Sequence, residues 1–165
     1  VAPTADAPIG LVSIMTQGRT QAFASVASWG LVGAGLRHGS GIVHNVYGVG
    51  ARPFGDPARG VVTAGIGLGA VSSERAFLDV DALVHVVMAF DSKERPATVT
   101  ELRVPIGVKL SERFALWAAP AYDLAVGDSV EAVDLDAFAV TIVDDGPSTF
   151  VRAFPSVSAG VLLEL

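Results

Sequence analysis

Asp79, Asp81 and His85, in the stretch FLDVDALVHVVMAF at 77–90, are oxygen and nitrogen groups of the kind that bind metal ions. Their spacing argues against one shared ion. On a strand, Asp81 and His85 are four residues and roughly 13 Å apart, too far without ligands from a neighbouring strand. His38 and Ser40, in RHGSGIVHN, are the residue types of a base and a nucleophile, and His44 follows them. A serine nucleophile needs a base held by an orienting acid, and that stretch contains none. A Gly-Ser turn between two strands accounts for the same residues. GIGLGA, at 65–70, lies in a strand pattern with no helix after it, so it lacks the context of a dinucleotide-binding loop. The absence of cysteine removes disulfides, thiol catalysis and thiolate metal sites. No metal and no cofactor is expected.

The elements that carry these residues have a period of two. In 77–90 the even positions are Leu78, Val80, Ala82, Val84, Val86, Met88 and Phe90, while Asp79, Asp81 and His85 are odd. A strand puts odd and even side chains on opposite faces, whereas at about 100° per residue a helix would scatter the three polar groups around its axis. TVTELRVPIGVKL repeats the pattern, with Leu102, Val104, Ile106, Val108 and Leu110 opposite Glu101, Arg103, Gly107 and Lys109. RFALWAAPAYDLAV sets Phe114, Leu116, Tyr122, Leu124 and Val126 against Arg113, Trp117 and Asp123. VRAFPSVSAGVLLEL sets Val151, Val157, Val161, Leu163 and Leu165 against Arg152, Ser156, Ser158 and Glu164. VVTAGIGLGAV opposes Val62, Ala64, Ile66 and Leu68 to Thr63, Gly65, Gly67 and Gly69, a glycine face with space for bulky neighbours such as Phe77, His85 or Trp117.

Three less regular segments precede these, at about 8–16, 20–37 and 41–53; in the second, Trp29-Gly30 reads as a bulge. The total is eight strands. HGSG, SSER and SER are tight connections, whereas FGDPARG, DSKERPA and 128–148 are longer and alternate with them; TQGR is a short first connection. An up-and-down meander then places the tight turns and both termini at one end and the longer loops at the other. Residues 1–7 read as a disordered N-terminus and 8–165 as one antiparallel β-barrel domain with a long acidic loop or hairpin at 128–148.

Composition agrees with an all-β chain and narrows its surroundings. With 51% hydrophobic and 17% charged residues, the chain is more apolar than soluble domains of its size usually are. No run approaches the roughly 18–20 apolar residues of a spanning helix, and 18 Gly with 9 Pro break the apolar stretches into strand lengths. A net charge of −6 with no basic cluster sets aside a nucleic-acid partner. The polar face mixes charge with Gly, Ala, Ser and aromatic residues, as a confined interior would, and the opposite face is aliphatic. That is the pattern of a transmembrane barrel with lipid outside. A soluble lipocalin-like barrel, with the aliphatic face inward around an apolar ligand, is the alternative.

On these alternating segments, notably LDVDALVHVVMAF and LRVPIGVKL, and on a chain that ends inside a strand, VSAGVLLEL, the sequence resembles the small eight-stranded outer-membrane β-barrels of Gram-negative bacteria. The family usually ends in an aromatic residue, a position taken here by Leu165. The resemblance implies a bacterial outer-membrane location, membrane lipid as partner and a non-enzymatic structural or surface-interaction role. Some such barrels deacylate lipid A with a neighbouring His and Ser, so His38 and Ser40 keep a lipid-hydrolase alternative open.

In such a barrel Asp79, Asp81, His85, Glu101, Arg103, Lys109, Arg113, Asp123, Arg152 and Glu164 face the lumen. Eight strands enclose just enough room for their own side chains, so these charges are expected to pair into a closed plug, with a narrow ion path as the alternative. Pro105, Pro120 and Pro155 fall inside the predicted strands, where a missing N–H requires a bulge or a shorter strand. The 128–148 segment carries Asp128, Glu131, Asp134, Asp136, Asp144 and Asp145 with no basic residue, and could meet a protein partner or a weakly held cation. Oligomeric state is not legible.

Overall fold

The computed structural model describes residues 18–40, 42–53, 58–90, 95–127, 140–144 and 150–165, with backbone alone at 140–144 and 150. They form strands β1 (Arg19–Ala27), β2 (Val32–Gly39), β3 (Val43–Arg52), β4 (Arg59–Ser72) and β5 (Ala76–Ala89). After these come β6 (Ala97–Arg103), β7 (Ile106–Lys109), β8 (Phe114–Gly127), β9 (Val140–Asp144) and β10 (Phe150–Glu164). Each strand from β1 to β5 pairs antiparallel with the next. β6 and β7 are two halves of one stave, both bonded to β5 on one side and β8 on the other. β10 pairs with β8 and with β1, closing the ring. The result is an antiparallel eight-stave up-and-down β-barrel.

The staves differ in part from those expected. Residues 20–37 are not one bulged strand. The chain reverses at Ser28–Leu31, where Ala27 N donates to Leu31 O (2.8 Å) and Gly30 N to Ala27 O (2.9 Å). Gly30 has a φ of 85°, a left-handed conformation that glycine adopts without the steric cost of a Cβ. The reversal is hidden in the sequence because alternation runs through it in phase: Val26 and Val32 pair across the hairpin and both face outward. Eight staves therefore form without the 8–16 segment, which lies outside the described residues, as do 1–7. Of TQGR, Gly18 and Arg19 are described, and β1 starts at Arg19.

The short connections after β2, β4 and β7 lie at one end with Gly18 and Leu165, which we call the terminal end. The connections after β3, β5 and β8 lie at the other, together with the Ser28–Leu31 turn. Of the 128–148 segment, only 140–144 is described. There β9 pairs with Phe150–Ala153, the part of β10 that projects past β1, whose last partner is Ser158.

The three prolines sit where the ladders have gaps. Residues two apart on a strand turn both backbone groups to the same neighbour. Pro120 O accepts from Val104 N, so the nitrogen of Pro120 also faces the break between β6 and β7, where Pro105 lies. Val157 O accepts from Ser28 N, so Pro155, two residues away, faces the gap between β1 and β9.

Side-chain direction is uniform around the ring. In β5, Phe77, Asp79, Asp81, Leu83, His85 and Val87 are buried, while Val80, Ala82, Val84 and Met88 are exposed. The register carries this alternation into every stave, and no outward residue of the described barrel strands is charged. The aliphatic face is outside, opposite to the lipocalin-like alternative. Inside, an apolar layer of Trp29, Leu31, Val61, Val87, Val99 and Phe154, with Ala97 and Ala125, closes the lumen toward the loop end. A second cluster, Phe77, Trp117 and Leu162 with Ala115 and Ala119, packs nearer the terminal end.

Candidate functional site

The inward positions of β2 to β6 converge on a buried charge network. Gly67 on β4 stands between His44 on β3 and Asp81 on β5 in register, and its missing side chain lets them meet over it. His44 Nε2 donates to Asp81 Oδ1 at 2.8 Å. A Cβ on residue 67 would lie 2.0 Å from that nitrogen and 2.2 Å from that oxygen. Arg103, the register partner of Asp81 on β6, donates to its other oxygen from Nε (3.0 Å) and Nη2 (2.9 Å). The same guanidinium lies 3.6 Å from Glu101 and stacks 4.8 Å from the Trp117 ring centroid. One position along, His85 Nε2 donates to Glu101 Oε2 at 3.1 Å, and Thr63 Oγ1 is 2.9 Å from His85 Nδ1. Trp29, from the β1–β2 turn, sets its ring edge against His85 with centroids 5.6 Å apart.

Toward the terminal end Arg37 Nη1 donates to Asp79 Oδ2. A wide vestibule opens there, lined in part by Arg37, His44, Asp79, Lys109, Glu112 and Glu164. Lys109 and Glu164, expected in the lumenal network, are at this rim. Lys109 Nζ donates to Ser73 O (2.7 Å), and Glu164 meets the exposed Arg19 at 2.9 Å. Arg113, in the exposed turn before β8, lines the same vestibule and is not part of the buried network, because the alternation of that segment begins only at Phe114. Arg152 occupies an inward position opposite Ala125 and is partnered. Asp123 is fully buried, opposite Glu101 in register.

Each carboxylate in the middle of this network is paired with an arginine or a histidine, except Asp123, whose polar neighbours are Glu101 and the Ser156 hydroxyl. Two cavities of about 20 Å³ each lie there, one beside His85 and Glu101 and one beside Asp81 and Trp117. Each has room for about one water molecule. Asp79, Asp81 and His85 do not converge on a point; they bind Arg37, His44 with Arg103, and Glu101 with Thr63 respectively. Among the described residues no group of three or more His, Asp or Glu is placed to hold a metal ion.

His38 and Ser40 are engaged separately. His38 is on the outer side of β2, where its Nδ1 is 2.9 Å from Thr20 Oγ1. Ser40 Oγ accepts from Val43 N (3.2 Å) and so braces the turn into β3.

Arg37, His44, Thr63 and Trp29 belong to the network but were not singled out for it by sequence. Arg37 shares a parity with Gly33 and Gly35, and His44 with Val46 and Gly48, so a correct division of 20–52 into three strands would have put both on the inner face. Of the bulky side chains expected over the 63–69 glycine face, His85 does bond Thr63 there, whereas Phe77 fills the space at Gly107 and Trp117 that at Gly160.

No protein family and no curated protein matches the chain. Among solved structures, the crystal structure of the N-terminal beta-barrel domain of Pseudomonas aeruginosa OprF is similar, with a TM-score of 0.46 and 10% identity over 87% of this chain and 99% of that chain.

Proposed function

We propose that the chain is a bacterial outer-membrane barrel whose outer wall meets lipid, whose lumen is closed, and whose role is structural or surface-interacting rather than enzymatic. The carrying observation is the reversed polarity: Tyr47, Val49, Ile66, Val84, Leu102 and Val157 are exposed outside, while Asp81, His85, Glu101, Arg103 and Asp123 are buried inside. A soluble protein of this surface would expose an apolar belt far beyond the few hundred Å² that monomers tolerate. In lipid the same belt costs nothing, and the closed ring leaves no strand edge unpaired across the hydrocarbon. The paired charges and the apolar layer under Trp29 support a plug rather than a pore. On this reading surface contacts belong to the loop-end connections, with the acidic 128–148 segment as the candidate for a basic protein partner or a weakly held cation. Nitroxide labels at Val84 and Ile66 should be accessible to oxygen and shielded from a water-soluble nickel reagent in vesicles, with the opposite behaviour at Glu112. Equal nickel accessibility at all three, or a purified chain that stays monomeric and soluble without detergent, would sink the membrane reading.

A further inference from the structure

We propose that Asp123, Glu101 and Ser156 form a lumenal site for a single hard cation. Asp123 is 0% exposed, and neither of its carboxylate oxygens has a hydrogen-bond partner. Its register neighbours are Glu101 on β6 and Phe154 on β10, so it has a second carboxylate on one side and an aromatic ring on the other. Ser156, the next inward residue of β10, is 7% exposed; its hydroxyl lacks a partner and lies within reach of Asp123. Glu101, 2% exposed, gives one oxygen to His85, and its other oxygen makes no hydrogen bond but lies 3.6 Å from Arg103. The donors around Asp123 are therefore all oxygen, the set that suits Na⁺ or Ca²⁺ and not a soft metal.

The charge distribution points the same way. Like charges directly opposite across two strands repel, and a buried carboxylate requires a counter-charge. The neighbouring cations are committed: Arg37 to Asp79, and Arg103 to Asp81 and Glu101. Arg152 lies one inward position nearer the loop end than Phe154 and has interactions of its own. A cation at Asp123 would supply the compensation that these side chains do not. None of this depends on whether lipid or water surrounds the barrel, so the site and the membrane reading can fail separately.

The test is thermal melting of the folded full chain in detergent micelles at constant ionic strength, with choline chloride as reference and NaCl or CaCl₂ as probe. A saturable rise in melting temperature is expected with at least one probe. It should vanish in Asp123→Asn and need about ten-fold more cation in Ser156→Ala. No saturable rise in the parent chain, or the same rise in Asp123→Asn, overturns the site. Stabilisation by acid alone, with neither salt acting, also overturns it, because a proton then holds the position. Should Asp123→Asn fail to fold, Ser156→Ala decides by itself, and an unchanged midpoint overturns the proposal.

Discussion

Arg103 is the side chain on which the lumenal charges depend most. It holds Asp81, touches Glu101 and stacks on Trp117, so Arg103→Met leaves two carboxylates buried without it. Losing one partner of a buried pair costs about 3–5 kcal/mol, whereas removing both costs less. Denaturant unfolding should therefore show a large loss for Arg103→Met and a partial recovery in the Arg103→Met, Asp81→Leu double variant. Gly67 is equally specific. In Gly67→Ala the new methyl displaces His44 from Asp81, and a loss of about 1–3 kcal/mol is expected from the orphaned groups. Gly33→Ala, where the nearest heavy atom is 3.3 Å away, should lose much less in the same unfolding assay. At this scale the sequence exposes Asp79, Asp81, His85 and Glu101 as one face, because alternation needs only local parity. It does not reveal that His44 reaches Asp81, since that meeting passes over an intervening strand at a glycine.

The staves explain why prolines are compatible with a closed wall. Pro120 faces the β6–β7 break, so Pro120→Ala should change stability by less than about 1 kcal/mol, within the range of mutations that orphan nothing. Val62 sits in an uninterrupted ladder between Val49 and Val86, and Val62→Pro should orphan a carbonyl at about 1–3 kcal/mol. Comparing unfolding midpoints of the two variants measures whether position in the ladder, rather than proline itself, decides. The β1–β2 hairpin is the element that sequence misplaced. Its tight turn preserves the parity of Val26 and Val32, so hydrophobic alternation contains no mark of the reversal, and Gly30 was open to reading as a bulge. β5, β8 and β10 were legible because each is bounded by polar or glycine-containing connections and keeps one parity throughout most of its length.

For the whole molecule the outward face predicts how the chain responds to charge. Val84 lies near the middle of β5 and faces out, so in a bilayer Val84→Arg should cost about 2–4 kcal/mol, read as reduced folding into lipid vesicles. In water the same change would be nearly neutral, so a lack of effect in vesicles would count against a lipid-facing wall. Sequence by itself determined that this is an all-β chain of two-faced strands, one face aliphatic and one polar, because a strand's period of two is imposed by its own backbone. It also determined which connections are short, since turn residues act locally. Which face is enclosed could not be fixed by periodicity, because a barrel turned inside out has the same alternation; ring closure decided it. Only the tertiary structure could decide that Arg37 meets Asp79 and that His44 and Arg103 meet at Asp81 while, among the described residues, no cation pairs with Asp123, because register between strands far apart in sequence sets those distances.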